Sequence, residues 1–110
     1  VYSTSKGAVN ALAKSLALCH APDKIRVNTV CPGPVADTGI INADLSKATD
    51  RDALAQKFID AAPLCKALGR MNTPEEIAAT IAFLSSKNAE LITGTMIAID
   101  GGKSLGVPPA

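Results

Sequence analysis

Two short runs rich in β-branched residues, Ile25-Arg26-Val27-Asn28-Thr29-Val30 and Thr95-Met96-Ile97-Ala98-Ile99, carry the strand signal of this chain. Each is preceded by helical periodicity, and some sixty residues of alanine-rich and helix-patterned sequence lie between them. The order is therefore helix, strand, insertion, helix, strand, the second half of a parallel α/β sheet wound with right-handed crossovers. Two strands do not make a stable sheet alone, so further strands are expected upstream or on another chain. The chain opens on Val1, within what reads as a helix already under way, and an upstream segment is expected on that ground too.

The first helix is expected over residues 2–18 or 2–19, with Val9, Leu12, Ala13 and Leu16 as its core stripe and a flat face of Gly7, Ala8, Ala11 and Ser15. Ala21-Pro22-Asp23 breaks it. The strand at 25–30 ends at Cys31-Pro32-Gly33-Pro34-Val35, because proline donates no ladder hydrogen bond and the chain must turn out into a loop. In open parallel sheets ligands sit beyond the carboxyl ends of the strands, which puts this loop on the ligand side. Residues 37–63 are expected to be mostly helical, with Thr49 or Asp50 capping a helix through Ala53, Leu54, Lys57, Phe58 and Ile59, in the place of a substrate lid or a surface excursion. Thr73-Pro74-Glu75-Glu76 is a capping box opening a helix from Pro74 to about Ser86. Thr93-Gly94 turns the chain into a buried strand over 95–99, which Asp100-Gly101-Gly102 ends. No helix is expected among the prolines that follow.

Composition narrows the function. The 110 residues have room for one domain and not two, and residues 1–110 are expected to be the C-terminal part of a single domain whose N-terminal half lies outside this chain. A net charge of +1 and 3% aromatic residues supply neither the basic stripe nor the stacking rings of a nucleic-acid surface. No apolar run approaches the ~20 residues of a membrane span. Cys19, Cys31 and Cys65 are widely spaced and have only His20 to join them, so no metal site is expected. They read as small buried hydrophobes in a reducing compartment, and the cytoplasm is the expected location.

Tyr2 and Lys6 lie four residues apart, on one face of a helix if one begins here. Opposite charges ~4 Å apart at an effective dielectric of ~20 attract by about 4 kcal/mol, which would draw a tyrosine down from ~10 by at most ~3 pKa units. A phenol moved towards neutrality is a competent general acid/base.

Tyr2-x-x-x-Lys6, Asn28-x-Val30-x-Pro32-Gly33-x-Val35, Gly69-Arg70, Pro74-Glu75-Glu76-Ile77, and Thr93-Gly94 followed by Asp100-Gly101-Gly102 stand in the order and spacing of the short-chain dehydrogenase/reductase family. The chain resembles the C-terminal portion of a classical member, with the C-terminal half of a Rossmann-like doubly wound sheet. The resemblance implies an alcohol–ketone oxidoreductase using NAD or NADP, with a small-molecule substrate. Tyr2 would be the proton donor and acceptor and also a cofactor-binding residue, and Lys6 would tune it and hold the nicotinamide ribose. Pro32, Gly33, Pro34 and Val35 would line the nicotinamide. The family's threonine falls where this chain has Asp37, with Thr38 one place later, so both are kept as cofactor neighbours. Association as a dimer or tetramer through the first helix and last strand is implied as well. The alternative is a truncated, non-catalytic association module of the same descent.

Overall fold

The computed structural model describes residues 1–106, with Tyr2 described by its backbone alone. Its elements are α1 (Tyr2–His20), β1 (Thr29–Pro32), α2 (Gly39–Lys47), α3 (Arg51–Asp60), α4 (Pro63–Leu68), α5 (Pro74–Leu84) and β2 (Met96–Ile99), with short 3-10 turns at Ala21–Asp23, Lys87–Ala89 and Lys103–Leu105. The strands form a two-stranded sheet. Their partners advance together, Thr29 N donating to Thr95 O and Gly33 N to Ile99 O, so the pairing is parallel as expected. The residues group into two compact units, Val1–Cys31 with Thr80–Ile97, and Pro32–Ala79 with Ala98–Ala110.

In the first unit α1 buries a stripe that shares only Ala13 with the expected one. Ala17 is buried and Asn10, Ala13 and His20 are half-buried, at the 3–4-residue steps of one helix face. A Cβ placed on Gly94 would lie 3.7 Å from the Ala17 Cβ, so the helix seats a small residue against the turn before β2. Val9, Leu12 and Leu16, expected as core, are 53%, 57% and 37% exposed. Periodicity identifies an apolar face but not what covers it, and this face has no cover among the described residues. Cys19 is likewise exposed and Cys31 half-buried; only Cys65 is buried as expected.

The strand at 25–30 also shifts: β1 begins at Thr29 and runs through Pro32. The β-branched run before it is tied by one backbone bond, Gly94 N donating to Val27 O at 2.8 Å, and otherwise by side chains. Asn28 Nδ2 donates to Ile92 O at 2.8 Å, Asn28 Oδ1 accepts from Thr95 N at 3.1 Å, and Thr93 Oγ1 accepts from Val27 N at 3.1 Å. Pro32 fits as the last residue of a strand because position 32 needs no N–H there, and the ladder resumes at Gly33 N. The strand β2, expected to be buried, alternates between exposed and half-buried, with Met96 half exposed.

In the second unit the insertion folds as α2, α3 and α4, of which α2 packs on α3 and α3 on α4. Asp50, one of the two candidate caps, accepts from Ala53 N at 3.1 Å and opens α3. The short α4, not anticipated, has Pro63 in its first turn and Gly69 at φ 74° after its end, the proline-start and glycine-stop signature. The core here is Ile41, Leu45, Ala62 and Cys65, with Asn72 as the buried polar residue. The capping box of α5 forms as expected: Glu76 N donates to Thr73 Oγ1 at 3.2 Å, and Thr73 N donates to Glu76 Oε1 at 2.9 Å. The single turn at Lys103–Leu105 departs from the expectation of no helix there, and residues 107–110 lie outside the described residues.

Candidate active site

Tyr2 and Lys6 occupy the first two turns of α1, which is hydrogen-bonded from its start by Ser5 N donating to Val1 O at 3.0 Å. Four residues of helix put their backbones one turn apart on one side. Lys6 is exposed, and the Tyr2 side chain lies outside the described residues. Both belong to the first unit, whereas Pro32, Gly33, Pro34, Val35, Asp37 and Thr38 belong to the second.

The second group is one continuous loop, held at several points. Gly33 is forced by close packing: a Cβ there would stand 2.9 Å from Asp100 Cα and 3.0 Å from Asp100 Cβ. Val35 forms an isolated parallel bridge with Asn72, carried by Ala36 N donating to Asn72 O at 2.9 Å. In such a bridge the bonds to Asn72 come from the neighbours of Val35, so the N–H of Val35 itself faces the opposite edge. Asp37 adopts the left-handed region at φ 59°, which aspartate tolerates better than most residues. That turn places Thr38 as the N-cap of α2, where its hydroxyl donates to Val35 O at 2.8 Å and accepts from Ile41 N at 3.5 Å. The Thr38 hydroxyl proton is thus committed within the loop.

Asn72 was not singled out by sequence reasoning. It is 7% exposed, and its Nδ2 donates to Ile99 O at 2.8 Å, the carbonyl that also accepts from Gly33 N. An asparagine between a Gly-Arg and a capping box gives no periodic signal, and its partner lies 27 residues away.

Two carboxylates of this unit are fixed. Arg70 forks onto Glu76, Nη1 to Oε1 at 2.7 Å and Nη2 to Oε2 at 3.2 Å. The Arg70 hydrogen bond, with those of Thr73, holds the Glu76 carboxyl down at about 2. Burial pushes the Asp100 carboxyl up, but bonds from Ser104 and from the Gly102 N–H outweigh it and leave it below its usual value. A cleft of about 320 Å³ in the same unit is lined by Cys65, Leu68, Met71, Asn72 and Asp100 among others, and Pro32, Val35 and Thr38 are not part of its wall. Among the described residues there is no cluster of His, Cys, Asp or Glu able to hold a metal ion, and no helix long and apolar enough to cross a membrane.

A parallel α/β arrangement with a Tyr-x-x-x-Lys helix and a Pro-Gly loop at a strand end defines a short-chain dehydrogenase/reductase. The chain belongs to that family: the family model described as Enoyl-(Acyl carrier protein) reductase matches residues 1–104. Glucose 1-dehydrogenase 2 of Bacillus subtilis (strain 168) is 40% identical over 104 residues, which are 94% of this chain and 36% of that protein. A short chain dehydrogenase family protein from Francisella tularensis subsp. tularensis SCHU S4 superposes with a TM-score of 0.82 at 38% identity, over 96% of this chain and 43% of that one. A 4-hydroxyisoleucine dehydrogenase mutant complexed with NADH and succinate gives 0.81 at 30% identity, over 97% and 40%. The α/β fold is thus that of the Rossmann-type dehydrogenases, and the chain spans well under half the length of these relatives.

Proposed function

We propose that these 110 residues are the C-terminal part of one nucleotide-binding domain, in an oxidoreductase that interconverts a small-molecule alcohol and ketone with NAD or NADP. The observation that supports this most is a Tyr2–Lys6 pair one helical turn apart in a chain that matches the family over residues 1–104. The residues fit a nicotinamide on a further count: the Val35 N–H faces away from Asn72, on a loop where the Gly33 and Ala36 N–H groups and the Thr38 hydroxyl are engaged within the fold. Pro32, Gly33, Pro34 and Val35 would hold the ring, with Asp37 and Thr38 at the rim and Lys6 on the ribose. When bound, the cofactor supplies or accepts the hydride.

Tyr2 holds a proton at its phenol oxygen, gives it to the carbonyl oxygen during reduction and takes it back during oxidation. The Lys6 cation one turn away favours the phenolate and so draws the tyrosine towards neutrality. Thr38, with its proton on Val35 O, leaves recognition of the nicotinamide amide to the loop backbone. The 110 residues by themselves are inactive on this reading, because the pyrophosphate-binding turn belongs to the remainder of the domain. The complete enzyme is cytoplasmic and works as a dimer or tetramer. A second reading, a non-catalytic association module, draws on the exposed Val9, Leu12 and Leu16 face of α1.

The test is substitution in the protein expressed from its complete reading frame. Tyr2→Phe abolishes turnover and leaves cofactor affinity nearly unchanged, because the phenol acts in the transition state. Lys6→Ala weakens both. Turnover that survives Tyr2→Phe removes the acid/base role.

A further inference from the structure

From the geometry around Asn72 we infer that this residue is a positioning residue for the cofactor, acting through the loop from Gly33 to Ala36. The inference rests on the functional reading above and deepens it. Asn72 joins that loop to the end of β2 through two bonds of its own, one from its backbone and one from its side chain, and shares the acceptor of a third. Its carbonyl accepts from Ala36 N at 2.9 Å, its Nδ2 donates to Ile99 O at 2.8 Å, and that Ile99 oxygen accepts from Gly33 N at 2.9 Å. The amide nitrogen also lies 3.3 Å from where a Gly33 Cβ would be, so side chain and loop are in packing contact.

The consequence is directional. With Ala36 N and Gly33 N both engaged on the Asn72 side, the peptide between them is fixed with the Val35 N–H on the other edge, the edge that would meet the nicotinamide. Removing the side chain leaves the backbone bridge at Ala36 but takes away the bond that fixes Asn72 to β2. The loop then samples arrangements in which Val35 is turned away, and apparent affinity falls with the fraction that remains competent. Loss of one buried hydrogen bond corresponds to about a tenfold change in that fraction. Hydride transfer within the bound complex requires only that the loop be in place, so kcat is affected less than affinity.

The experiment uses the protein from its complete reading frame, with NADH and NADPH titrated by fluorescence and amide hydrogen exchange followed over residues 33–36. Asn72→Ala is compared with Asp50→Ala, which removes a helix cap in the same unit without touching the loop. Asn72→Ala raises the cofactor Kd and KM about tenfold, changes kcat less than threefold and speeds exchange at Gly33 and Ala36; Asp50→Ala lowers the melting temperature and leaves Kd unchanged. Should Asn72→Ala not accumulate folded, Asn72→Ser, whose hydroxyl is too short to reach Ile99 O, is judged by the same Kd criterion. An unchanged Kd in the folded Asn72 variant, or an equal rise in Asp50→Ala, overturns the positioning role. A wild-type protein that binds neither nucleotide overturns the functional reading itself, and with it the inference.

Discussion

Gly101 closes β2 at φ 63°, and a Cβ built there would meet the Cys65 Sγ at 2.6 Å, the Cys65 backbone N at 3.2 Å and the Ala62 Cβ at 3.3 Å. Gly101→Ala therefore acts twice. Left-handed backbone costs a side-chain-bearing residue roughly 1–2 kcal/mol. Overpacking adds about 1–3 kcal/mol, since Cys65 is buried, has a single side-chain torsion to rotate and cannot withdraw its backbone nitrogen. The expected loss is about 2–5 kcal/mol in urea unfolding. The two parts separate in the double variant with Cys65→Ala: removing the sulfur relieves the contact but not the backbone, so the pair is less destabilised than the sum by about 1–3 kcal/mol. A Gly101→Ala cost under ~1 kcal/mol, or additivity within ~0.5 kcal/mol, refutes the packing assigned to this turn.

Glu76 carries a pH signature. Its carboxyl sits at about 2 in the fold against an ordinary 4.5, so its contribution is complete above about 4.5 and is lost as pH falls towards 2. The urea midpoint of wild type should exceed that of Glu76→Gln at pH 7 and converge with it in acid; a gap independent of pH contradicts the Arg70 fork. The isolated 110 residues should show no saturable NADH or NADPH binding by calorimetry and should elute as an associated species, because Val9, Leu12 and Leu16 are uncovered. Tight binding by a monomer would count against the need for the rest of the domain.

What was legible in the sequence is what local chemistry decides. The capping box of α5 and the Asp50 cap need only residues three apart, and α1 needs only helix propensity and a proline beyond its end. The parallel pairing was legible, but not where along the chain it begins. The β-branched run at 25–28 keeps a single backbone bond, Gly94 N to Val27 O, while Asn28 supplies both donor and acceptor from its side chain, and β1 starts only where Thr29 meets Thr95. The buried face of α1 was only partly assigned for a related reason: Ala17, a small residue, is buried in contact range of Gly94, which bulk-based periodicity undervalues. Asn72 was invisible because its meaning depends on Ile99 and Ala36. At Asp37 and Thr38 nothing in the sequence signalled the left-handed turn that commits the Thr38 hydroxyl to α2 and Val35.

That hydroxyl makes a mechanical coupling. One oxygen joins the first turn of α2 to the carbonyl of Val35, so the helix and the loop share a fastener 2.8 Å long. Swinging the start of α2 outward breaks the bond to Val35 O or the cap on Ile41 N, and pulling Val35 drags the helix with it. Valine at position 38 keeps the shape and removes the fastener. The start of α2 would then lose both its cap and its tie to the Val35 carbonyl, leaving the short stretch of Ala36 and Asp37 as the link between helix and loop.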